Sequence, residues 1–118
     1  MGELIALLFL ARELAHRAHL KTRSYAQHMA LGDFYDGIVG LADGIAEAYQ
    51  GQFMQLLEIP LLEGDTGAPI KDVLRQHLDW IATNRYSACP REQTAIQNMI
   101  DEVVALYQST LYKLEFLQ

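Results

Sequence analysis

Leu4, Leu7, Leu8, Ala11, Leu14, Ala15 and Ala18 recur at intervals of three and four, which places them on one face of a helix. This pattern predicts a first helix from Glu3 to Lys21. Ile5, Phe9 and Leu20 fall toward its opposite side, and a helix apolar on two sides is expected to be buried on both, which points to an oligomer contact. A second helix is predicted from Ser24 or Tyr25 to Tyr49, with Leu31, Phe34, Ile38, Leu41, Ile45 and Tyr49 on its core face. The third runs from Pro69, a residue suited to a first helical turn, to Asn84, with Ile70, Val73, Leu74, His77 and Ile81 together. The fourth starts near Pro90 and continues to the end on the stripe Ile96, Met99, Ile100, Val103, Tyr107, Leu111 and Leu114.

Between residues 50 and 69 the period fades. Phe53, Met54, Leu56, Leu57, Ile59, Leu61 and Leu62 are apolar but interrupted by Pro60, and residues 63–69 are a turn cluster. This stretch is expected to be a long crossover, long enough to let the third helix run either way relative to the second. The pattern gives a single all-α domain over residues 1–118, a four-helix bundle with one long connection between its second and third helices. The size suffices for a real core.

Composition narrows the setting. With 51% hydrophobic and 20% charged residues the chain is an ordinary globular one. Its net charge of −6 argues against a nucleic-acid-binding surface, which is normally basic. The apolar start lacks the basic flank and cleavage site of a signal peptide, and no apolar run approaches a membrane span, so no membrane association and a cytoplasmic setting are expected. The one cysteine, Cys89, excludes an internal disulfide and stands in an expected interhelix turn before Pro90.

Nucleophile signatures, phosphate loops and cysteine-pair metal motifs are absent. The chemistry on offer is four histidines and a few carboxylates. His16 and His19 are neighbours on the first helix, and His28 opens the second. Farther along, Asp36, Asp43 and Glu47 follow at i, i+7 and i+11 as one acidic column. Carboxylate oxygens at one-turn spacing suit a divalent cation, and added imidazole nitrogens favour a transition metal. The ordinary reading of such a column is a solvated face, and that of a core-edge histidine, or of His77 within an apolar stripe, is a hydrogen-bonded structural residue. Gly37, Gly40 and Gly44 form another stripe on the second helix, which fits either tight packing inside one chain or a symmetric contact between subunits.

The segment from Ala18-His19 to His28, followed by Leu41-Ala-Asp43-Gly-Ile-Ala-Glu47, resembles the first half of the Dps-type, ferritin-like proteins. That family carries an Ala-His pair ending the first helix, a histidine early in the second, and Asp-x-x-x-Glu fifteen residues later, the spacing from His28 to Asp43. The resemblance implies a ferritin-like bundle with His19, His28, Asp43 and Glu47 as ligands of iron or another divalent transition metal, and His16 and Asp36 as additional candidates. It also implies ferroxidase activity at a site between subunits of a homo-oligomer, a dimer through the first two helices. The departures are that a further family aspartate falls on Gly32, the tryptophan after the first histidine is Leu20, and the segment between His19 and His28 is shorter than the family's by about three residues. The chain is also shorter than a typical member and lacks the long N-terminal tail.

A second resemblance covers nearly the whole chain. The opening Leu4-to-Arg12 run, the Lys21–His28 segment and residues 100–117 are similar to a family of small tailed-phage proteins of unknown function. It implies action in the infected host cell and supplies no activity. Two readings follow: a metal-binding ferritin-like oligomer, or a non-catalytic protein-interaction module acting on a host or phage partner without metal.

Overall fold

Two tight turns and one long crossover decide how the apolar stripes meet. The computed structural model describes residues 1–118 and contains four helices and no strand: α1 (Gly2–Lys21), α2 (Tyr25–Phe53), α3 (Ile70–Ala88) and α4 (Thr94–Phe116). Thr22 leaves the helical region (φ −67°, ψ 149°), and Ser24 caps α2 by accepting the Gln27 backbone N–H at 3.2 Å. The short link folds α2 back on α1. At the other hairpin, Cys89 is extended, and the half-buried Arg85 donates to the Gln97 side chain (2.9 Å), the Gln97 carbonyl (2.9 Å) and Asp101 (2.7 Å). Gln97 in turn donates to the Cys89 carbonyl at 2.8 Å, so the turn between α3 and α4 has its polar groups paired.

The helices outrun their sequence patterns at several ends. α2 continues past Tyr49 to Phe53, where the Tyr49 and Phe53 rings pack one turn apart at 4.6 Å. α3 continues past Asn84 to Ala88, carried by the Arg85 anchorage, and Pro69 sits just before its first turn. α4 starts at Thr94 instead of Pro90, because Pro90 to Gln93 form the turn.

α1 packs on α2 and α3, and α4 packs on the same two, so the bundle is a square with α1/α4 and α2/α3 on its diagonals. Gly37 and Gly44 of α2 meet Leu106 and Met99 of α4, which makes that pair antiparallel. Gly64, near the end of the crossover, lies on Leu10 and Leu14, while Glu58, near its start, lies against Gly2. The crossover therefore climbs α1 from its first turn upward and delivers α3 parallel to α2, an up-down-down-up topology. Residues 54–69 reach about 53–58 Å when extended, enough to return along a molecule 45 Å long in a largely extended path.

The core is continuous along the bundle, with Phe34 and Tyr107 edge-to-face at 5.0 Å near its middle. On α2, Ala42 is buried whereas Leu41 and Tyr49 are only half-buried. On the second apolar side of α1, Ile5 is fully buried and Gly2 lies against the Glu58 carbonyl, while Phe9 (42%) and Leu20 (71%) remain exposed. Gly37 and Gly44 have their close neighbours on α4, and Gly40 faces open space. No helix is long and apolar enough to cross a membrane.

Candidate functional site

At the α1–α2 corner, His19 and His28 stack with ring centroids 3.7 Å apart and planes 18° apart. The His19 Nδ1 lies 2.6 Å from the His28 carbonyl oxygen, and the His28 Nδ1 lies 2.8 Å from the His19 carbonyl oxygen. A carbonyl only accepts, so both rings carry their hydrogen on Nδ1 and donate it. The His19 carbonyl belongs to the last turn of α1, where carbonyls lack partners inside the helix, and His28 caps it. Tyr35 continues the pile, 5.1 Å from His19 and 4.2 Å from His16.

In this stacked arrangement the two rings are not aimed at one shared ion. An imidazole binds through an in-plane lone pair at about 2.0–2.1 Å, and two nearly parallel planes stacked at 3.7 Å cannot aim both lone pairs at one ion. Within one chain the carboxylates lie elsewhere, whereas the site that the Dps-type resemblance implies takes its histidines from one subunit and its carboxylates from another. Asp43 is fifteen residues beyond His28 on the same straight helix, about 22 Å along its axis. Asp36, Asp43 and Glu47 stand exposed on the outer face of α2, and none of them forms an ion pair. No three His, Cys, Asp or Glu side chains of the chain come together in a metal-binding group. The departure at Gly32 has a spatial meaning as well: a Cβ there would lie 3.1 Å from His19 Cε1 and 3.3 Å from its Nδ1. The His19 ring occupies the room that the aspartate of the Dps-type proteins would need.

The other buried titratable groups are structural. His77 is pushed down to about 4 by burial, and its Nδ1 is the partner of the Tyr107 hydroxyl at 3.5 Å, whose own ionisation burial drives upward. Cys89 is buried and its thiol is raised by burial, the reverse of an activated thiolate.

What the structure places on the surface is the crossover. Met54 is 86% exposed, Leu56 84% and Leu61 98%, with Phe53, Ile59 and Leu62 exposed to a lesser degree. The segment is nonetheless fastened, by Gly2 under Glu58, by Gly64 on Leu10 and Leu14, and by the Leu57 N–H donating to Gln50 Oε1 at 2.9 Å. At its start Met54 adopts the left-handed conformation (φ 51°, ψ 46°), the only residue of the chain with positive φ. Periodicity does not reveal this surface, since residues 53–62 match neither helix nor strand. The available signal is their density of large apolar side chains around Pro60 in a stretch with no period to bury them.

Residues 19–114 match the family described as Family of unknown function (DUF5856). Over 112 residues the chain is 27% identical to the uncharacterized 14.6 kDa protein in the mobD-ri intergenic region of Enterobacteria phage T4, covering 95% of this chain and 85% of that relative. No solved structure matches.

Proposed function

The chain belongs to the family of unknown function DUF5856, and from this premise we propose that it is a non-enzymatic protein-binding module of phage type, with the crossover as its contact strip. Its single long connection is the pattern of ferritin-like bundles, and the scaffold is read as that fold put to use without metal. The observation that carries the reading is the row Met54, Leu56 and Leu61, almost fully exposed on a fastened segment. Large contiguous apolar surface costs solubility and marks interaction sites in monomeric proteins. Met54 strengthens the point. A bulky side chain in the left-handed region is strained, and glycine is the usual residue after a helix end. Here the strained position projects a thioether into solvent, and methionine suits adaptable protein contacts. Similarity to a phage protein supports a partner met in the infected host cell, from the host or from the phage.

The test is capture from infected-cell lysate by the wild-type chain and by the Leu56→Asp/Leu61→Asp variant, with Asp43→Asn/Glu47→Gln as control. Burying one leucine is worth about 1.5–3 kcal/mol, so the strip variant should lose more than tenfold of any specific partner with its helical signal unchanged. The control should retain the partner. Equal capture by all three chains would rule out the strip.

A further inference from the structure

We infer that His19 and His28, seated on Gly32, are a latch that locks the α1–α2 corner in place of metal ligation there. Each ring's donor satisfies the other residue's carbonyl, and the rings lie face to face at 3.7 Å, so neither leaves its place without freeing the other. The seat is on α2. Residue 32 lies one turn beyond His28, and the His19 ring reaches the His28 carbonyl only across the bare Cα of a glycine, where a Cβ would come within 3.1 Å. The ring cannot yield, because the 2.6 Å bond and the stack both hold it. The inference concerns the corner alone and stands or falls independently of the crossover strip.

The sharpest test uses the sign of one substitution. Gly→Ala inside a helix ordinarily stabilises. Gly32→Ala is expected to lower Tm in the wild-type chain by about 3–6 °C and to raise it in the His19→Ala background, where the seat is empty. A rise in both backgrounds overturns the latch. Should His19→Ala fail to fold, nitrogen-15 spectra of the wild-type imidazoles decide instead. Both rings are expected as the Nδ1–H tautomer with slowly exchanging Nδ1 protons, and an Nε2–H tautomer at either ring overturns it. Ferrous iron and zinc, each added alone, are expected to leave Tm and those ring signals unmoved; a saturable shift that disappears in His28→Ala would restore ligation and reject the latch.

Discussion

His77 holds a neutral ring against the Tyr107 hydroxyl inside the bundle, and the stability of that arrangement depends on pH. Burial lowers its folded-state pKa to about 4 from the ordinary histidine value of 6.5, so below 6.5 the unfolded chain binds a proton that the folded chain refuses. Its contribution is complete above pH 6.5 and is lost as the pH falls toward 4. After allowance for the ring's partial contact with water, the loss is about 1–2 kcal/mol. His77→Gln, which keeps an acceptor for Tyr107 but does not titrate, should lose correspondingly less stability between pH 7 and pH 4.5 in urea denaturation. Identical pH dependence in the two chains would contradict the assignment. The structural character of His77 was legible from its place within an apolar stripe. The role of His19 and His28 was not, because the same two histidines with the same spacing to Asp43 suit a ligand set. What separates the cases is the absence of one Cβ at residue 32, which matters only once the two helices are side by side.

At the scale of the elements, the four helices follow from their stripes, while their ends do not. α2 and α3 each run a turn past the last strong periodic position because contacts beyond the pattern hold them, the Tyr49–Phe53 ring pair in one case and the Arg85–Gln97 bonds in the other. The crossover was legible as a connection, and its direction was open, since the same length permits either orientation of α3. Packing against α1 settles it, through glycines at residues 2 and 64 that periodicity does not weigh. The helix end at Met54 gives a direct test. Met54→Gly should raise stability by about 0.5–1 kcal/mol in thermal or urea unfolding, by removing the cost of a side chain at φ 51°. It should at the same time weaken partner capture, because the thioether is lost. A destabilised Met54→Gly would show that the side chain is held for packing and not for contact.

For the whole molecule, the up-down-down-up bundle separates two surfaces. One is the acidic, glycine-interrupted outer face of α2, and the other is the apolar crossover along α1. The sequence points first to the former, where the carboxylates are in register, and the structure draws attention to the latter, where side chains without a period have nowhere to be buried. Site-specific photo-crosslinking in infected cells sets these two surfaces against each other. With a photoreactive phenylalanine analogue at Leu61 and, in a separate chain, at Asp43, a discrete protein adduct is expected from position 61 and not from position 43. An adduct formed from position 43 with none from position 61 would contradict the crossover as the contact surface.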